Sequence, residues 1–282
     1  MAQKLLILTD FSSNSLDASK YAASLALSKG YPMHLLHFYT VRSSNFQDEK
    51  NAPAPTSPLL KADITILNLL TDLEEQYEGI TITEQCERGL LDDKLPQIVK
   101  RQNYDLIVLG AKGHSAVRTF FWGTTTAKIT DISPVPVLVV PSGYTEFKTT
   151  KVGLLTNFKA EELDTLKKFI TISGGPIEHL TLVHAYSPSE DLGEIQEKME
   201  AWLVHLEGWE GLKKVDYVLD AIKDEDVERG ALAAQINRKV QAEGIDILVI
   251  TKTRRSFFRK LFQDSVSKKL AQTMVVPSFF DK

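Results

Sequence analysis

"KLLILTDF", residues 4–11, comes back as "KVGLLTNF" at 151–158, and this echo decides how the rest of the chain is read. "LLHFY" at 35–39 likewise returns as "LVHAY" at 182–186, so both pairs are offset by about 147 positions. Further on, "ERGLLDDKL" at 87–95 matches "ERGALAAQI" at 228–236, and "DLIVLG" at 105–110 matches "DILVIT" at 246–251, now offset by about 141. "VVP" at 139–141 has its echo at 275–277. Matches in one order along the chain mean one unit written twice, with loops absorbing the drift in offset. The join falls in "SGYTEFKTT", 142–150, which predicts domains over 1–145 and 146–282.

Within a unit, short apolar runs alternate with helical patterns, the signature of a parallel sheet covered by helices on both faces. The first unit offers "KLLILT", "MHLLHFYT", "ITITEQC", "YDLIVLG" and "VPVLVV". The fold class expected is therefore α/β, as two tandem doubly wound five-stranded parallel-sheet domains. The first helix is expected to be capped by Asn14, with Asp17 three residues on. It shows Ala18, Tyr21, Ala22 and Leu25 on one face and stops at Gly30. Further helices are predicted near 58–77, 91–102, 124–132, 159–173, 190–207, 226–243 and 265–272. "SSNFQDEKNAPAPTSP", rich in Pro, Ser and Asn, reads as a long exposed loop.

Composition narrows the function classes. The chain has 282 residues, and 43% hydrophobic content supplies real cores for two domains. A net charge of −4 gives no broad basic surface, so nucleic acid is not expected as a partner. Cys86 is the single cysteine, which excludes an internal disulfide, and it reads as a small hydrophobe in a strand. No run of 18 apolar residues occurs, and the apolar part of "MAQKLLILTD" is short for a signal peptide. A soluble cytoplasmic protein without membrane contact is the expectation.

The chemistry concentrates in "GAKGHSAVRTFFWGTTT", 110–126, between the fourth and fifth strands. In open parallel sheets ligands bind beyond the carboxyl ends of the strands, where strand order reverses. A loop leaving a strand there and entering a helix at Gly123 and Thr124 offers unpaired N–H groups and the positive end of a helix dipole to an anion. Gly110 and Gly113 are expected to allow positive φ and close approach of a ligand. Thr124, Thr125 and Thr126 add hydroxyls, while Lys112 and His114 lie at the rim. The aromatic cluster "TFFW" at 119–122 reads as a lid or as an anchor for the loop. Neither GxxxxGK[ST] nor a GxGxxG after the first strand is present, which excludes the P-loop and dinucleotide fingerprints.

The spacing G-x2-G-x9-G-[ST], met by Gly110, Gly113, Gly123 and Thr124, resembles that of the universal stress protein family. "LTDFS", "LLHFY", "DLIVLG" and the terminal "PVLVVP" are similar to the family's strands in order. The resemblance covers nearly all the chain as a tandem of two such domains and implies an adenine nucleotide α-hydrolase-like fold. It implies ATP as ligand, with Mg²⁺ on the phosphates. Asp10 would face adenine and ribose, and Phe38 would stand where an aliphatic residue usually touches the base. Gly110 and Gly113 would lie along ribose and phosphates, and Gly123, Thr124 and Thr125 would hold the phosphate tail.

The second unit differs at each of these places: Asn157 for Asp10, Thr251 for Gly110, Arg254 for Gly113, and Asp264 with Ser265 for Gly123 with Thr124. It is expected to bind no ATP in that manner. Its "KTRRSFFRK", 252–260, reads as a dock for an acidic partner or as a solvated loop with Phe257 and Phe258 packed inward. His37 and His184 occupy equivalent strand positions and read as backbone-bonded histidines rather than bases. His34, His179 and His205 share no metal spacing. No nucleophile with a neighbouring base is visible, so an efficient enzyme is not expected. The function implied is an ATP-binding stress-response protein acting through nucleotide-dependent partner binding, with a slow ATPase or a nucleotide-free scaffold as alternatives. The last strands, 135–140 and 273–276, are expected to pair antiparallel within the chain as a pseudo-dimer, leaving homodimerisation open.

Overall fold

β1 (Leu5–Leu8) is an unbroken apolar run, LLIL, and all of it is buried, as a strand covered on both faces requires. Leu5 and Ile7 enter one core while Leu6 and Leu8 enter another, so the pleat alone assigns the two faces. The computed structural model describes residues 3–39, 58–111, 124–221, 231–252 and 274–282. β1 leads into α1 (Ser13–Lys29), β2 (Met33–Tyr39), α2 (Pro58–Gln76), β3 (Ile82–Arg88), α3 (Leu91–Gln102), β4 (Leu106–Gly110), α4 (Thr124–Ile132) and β5 (Val137–Val140). The second half repeats the plan with β6 (Lys151–Leu155), α5 (Ala160–Ser173), β7 (Ile177–Tyr186), α6 (Leu192–Leu206) and β8 (Leu212–Ala221). It ends with α7 (Ala231–Ala242), β9 (Ile247–Thr251) and β10 (Ser278–Asp281).

All ten strands join one sheet in the order β3-β2-β1-β4-β5-β10-β9-β6-β7-β8. Each half thus has the same internal order, and every pairing is parallel except the seam between β5 and β10. The seam runs antiparallel, with Ser278 opposite Val139, Phe279 opposite Leu138 and Phe280 opposite Val137. That relation gives the halves their pseudo-two-fold arrangement. Helices α1, α2, α5 and α6 cover one face, and α3, α4 and α7 cover the other. The small residues Ala18, Ala22 and Ala26 let α1 lie close on the sheet, beside Tyr21 and Leu25. Each leucine so buried contributes on the order of 2 kcal/mol.

Two expectations of local structure need correction. The cap of α1 is Ser12, whose side chain accepts from the Ser15 N–H; Asn14 is already inside the helix and buried. Gly30 does end that helix, at φ 67°. The final strand is Ser278–Asp281, five residues beyond the expected 273–276. The true counterpart of Pro136 is Pro277, since the carbonyl of each accepts from the adjacent strand, Ile107 N–H at 3.0 Å and Leu248 N–H at 2.9 Å. The predicted helix over 265–272 and the loop residues 43–57 lie outside the described residues. Cys86 is half-buried against the core, and burial pushes its thiol up to about 12. Among the described residues no helix is long and apolar enough to cross a membrane.

Candidate functional site

The strand order reverses between β1 and β4, and these neighbours run in register from Leu5 opposite Leu106 to Leu8 opposite Leu109. Their carboxyl ends therefore open side by side. Asp10 follows β1, Gly110 ends β4, and Phe38 lies near the end of β2 on the other flank of β1. α4 begins with Thr124 above the same edge, because the buried Thr126 hydroxyl donates to the Gly110 carbonyl at 3.2 Å. Asp10, Phe38, Gly110, Thr124 and Thr125 are thus gathered at one end of the sheet. Lys112, Gly113 and Gly123 lie outside the described residues, as do His114 and the 119–122 cluster.

A tight turn carries Asp10. Phe11 adopts left-handed φ 62°, a conformation that costs a side-chain-bearing residue free energy. Several contacts hold it there. The Phe11 N–H donates to Thr9 Oγ1 at 3.1 Å, and the Phe11 ring lies 4.2 Å from that of His37. His37 Nδ1–H donates in turn to the Thr9 carbonyl at 2.8 Å. The Asp10 carboxylate accepts from the Ser12 N–H at 3.1 Å and the Ser12 hydroxyl at 2.6 Å. It is consequently aimed by the start of α1.

Phe38 packs partly against the second core together with Leu91. Opposite it in register stands Glu87, paired with Lys94 and accepting from Gln85 Nε2 at 2.9 Å. The Lys94 ammonium holds the Glu87 carboxyl below its usual range. Thr125 is exposed on the first turn of α4. Two expectations of local geometry at the site change. Gly110 does not have positive φ; a Cβ on it would stand 2.9 Å from Asn14 Oδ1, so helix packing requires it bare. Thr126 turns inward to its own strand end rather than offering its hydroxyl to a ligand.

The second half rebuilds the turn with other chemistry. Phe158 repeats φ 61°, its N–H donates to Thr156 Oγ1 at 3.0 Å, and His184 Nδ1–H donates to the Thr156 carbonyl at 2.8 Å. Both histidines are thus backbone-bonded, as expected. Where the first half has Ser15, the second has buried Glu162, which accepts from the Thr156 hydroxyl at 2.7 Å and the Lys159 N–H at 3.2 Å. The Asn157 N–H also donates to it, at 3.0 Å. Burial raises the Glu162 carboxyl above its usual range against these donors. Ala185 replaces Phe38, and buried Thr251 replaces Gly110. Residues missed as organisers of the site are Thr9 and Ser12; the echo of "LT" at 8–9 and 155–156 was the available signal for Thr9.

The model of the universal stress protein family matches residues 1–141. Among solved structures, a universal stress protein from Archaeoglobus fulgidus DSM 4304 is 15% identical with a TM-score of 0.65. The match covers 99% of this chain and 96% of that one. A functionally unknown protein, PA1789, from Pseudomonas aeruginosa PAO1 is 12% identical with a TM-score of 0.61, over 99% and 92% of the two chains. These identities carry the fold alone. No curated protein matches the sequence. With the family model matching half of its length, the chain belongs to the universal stress protein family.

Proposed function

We propose that the first half, residues 1–145, binds an adenine nucleotide, ATP with Mg²⁺, and that the second half, 146–282, has lost that capacity. Nucleotide occupancy then changes a surface read by a protein partner during stress. The observation that carries the reading is the meeting of Asp10, Phe38 and the first turn of α4 at the reversal of strand order. The donor set fits the ligand. Asp10 can accept from ribose or adenine, Phe38 can present an aromatic face to the base, and Thr125 with the free amides opening α4 can hold phosphate oxygens. Mg²⁺, when bound, supplies charge neutralisation on those oxygens. In the second half Glu162 places a carboxylate at the turn, and Asn157 lacks the charge of Asp10.

Titration of ATP with Mg²⁺ into the whole chain tests this, alongside mass spectrometry of ligand released from the native protein. Asp10→Asn, which copies the second half, is expected to weaken binding about tenfold, the worth of one charged hydrogen bond. Asn157→Ala is expected to change nothing. Equal effects of the two variants, or no binding by the wild type, overturn the reading.

A further inference from the structure

The carboxyl end of α4 is held by the other half of the chain. Lys252 follows β9, and its ammonium donates to Thr130 Oγ1 at 3.3 Å and pairs with the Asp131 carboxylate. Its side chain is only 10% exposed. Lys282 follows β10, and its Nζ donates to the carbonyls of Asp131 at 2.7 Å and Ser133 at 3.1 Å. Carbonyls in a helix's last turn lack partners within the helix and carry the negative end of its dipole, so two ammonium groups there are favourable. The topology brings them together. β10 runs antiparallel to β5, so its end lies over the start of β5, where α4 delivers the chain. The Lys252 N–H donates to the Asp281 carbonyl at 2.7 Å, which fixes the two lysines side by side.

Neither lysine has a lysine at its matching position in the first half. Pro136 and Pro277 set the correspondence of the halves, and by it Lys252 matches Ala111 and Lys282 matches Pro141. Neither has an amine to return to the second half.

We propose that Lys252 and Lys282 are positioning residues for the first half's nucleotide helix: the second half holds α4 by its carboxyl end and so sets where its amino end meets the phosphates. The consequence for nucleotide rests on the function proposed above; the clamp itself does not. α4 has nine residues and is about 13 Å long, short enough that a tilt at one end moves the other. Among the described residues its other ties include the Thr126 bond to Gly110, the buried Ile129 and Thr130, and the Lys128 pair with Asp92. Loss of both lysines leaves the amino end tethered and the carboxyl end loose.

The test uses the full chain with Lys252→Met, Lys282→Met and both together, since Met keeps the stem and removes the amine. In ligand-free protein, amide hydrogen exchange over residues 124–132 is expected to rise about tenfold in the double variant, with β1 and β6 unchanged. ATP affinity is expected to fall about tenfold, with Lys252→Arg restoring most of it. Unchanged exchange in 124–132, or a rise spread evenly over the chain, overturns the clamp. Faster exchange with unaltered ATP affinity overturns its role at the site. Should the wild type bind no ATP, the nucleotide reading falls while the exchange result still decides the clamp. Should the double variant fail to fold, Lys282→Met gives the same readouts, because that lysine is exposed and its loss buries no unpaired charge.

Discussion

Gly110 ends β4 so close to Asn14 of α1 that an added Cβ would stand 2.9 Å from the amide oxygen and 3.0 Å from the Asn14 carbonyl carbon. Asn14 cannot easily retreat, because its Nδ2 donates to the Val140 carbonyl at 3.1 Å. Gly110→Ala is therefore expected to destabilise the chain by about 1–3 kcal/mol through overpacking, even in the absence of any ligand. Chemical denaturation of ligand-free protein measures it. Adding Asn14→Ala relieves only part of the loss, since the backbone atom remains in place.

Much of this was readable from the sequence, because the repeat carries the architecture twice. The apolar runs of β1, β4 and β9 are continuous, which only a doubly covered strand tolerates. The helix bounds at 91–102 and 124–132 match as well. What was misread shares one cause: short strings carry no register. "VVP" recurs at 275–277, yet the structure equates Pro277 with Pro136, because each proline carbonyl takes the first rung from its neighbour. Met274 and Val275 pack on the core outside any strand. Gly110 was expected to need positive φ, which it does not have; the atom nearest an added Cβ belongs to α1, a contact no local pattern encodes. Thr126 likewise looks like its neighbours in sequence and differs from Thr125 only by which side of the helix faces β4.

His34 sits under Lys4 and against Tyr104, with Nδ1 2.8 Å from Thr83 Oγ1. Burial, with the Lys4 charge behind it, lowers its pKa from 6.5 to about 4. A histidine lowered on folding is held neutral, so the unfolded chain binds the proton more readily between these values. Stability is thus full above pH 6.5 and declines as the pH falls toward 4, by about 2 kcal/mol once solvent screening is discounted. His34→Gln is expected to flatten thermal midpoints across that window; an unchanged slope would exclude His34 as its source.

Glu162 is raised by burial, so the sign is opposite. The stability tied to its carboxyl is complete below the ordinary value of 4.5 and is lost as pH rises through the raised value. Against Glu162→Gln, which stays uncharged, the wild type should lose ground as the pH climbs from 4.5 until it passes the raised value. Glu162→Ala is a different experiment. It strips the acceptor from the Thr156 hydroxyl and from the Asn157 and Lys159 N–H groups, and should cost about 2 kcal/mol below pH 4.5, shrinking as the pH rises through the raised value. Ser15→Ala, at the equivalent place, removes only a hydroxyl contact with Thr9 and a bond to the Ser12 carbonyl. It should cost less than half as much, and urea midpoints of the two variants compare them directly.

One buried ring packs at the seam between the halves. Phe279 in β10 is 1% exposed, lies opposite Leu138 in β5, and meets Phe169 of α5 edge to face at 5.2 Å. It joins the first core of both halves, whereas Phe280, one residue on, turns to the second. Phe279→Ala opens a cavity beneath a four-residue strand and is expected to cost about 3–5 kcal/mol. Part of that loss falls on Leu138 across the seam and part on Phe169 within the second half, so the second half should unfold before the first and one transition should broaden toward two. Phe279→Leu retains most of the volume and should keep a single transition. If Phe279→Ala unfolds in one step with an unshifted midpoint, β10 is not what joins the two units, and the seam must rest on the α4 contacts instead.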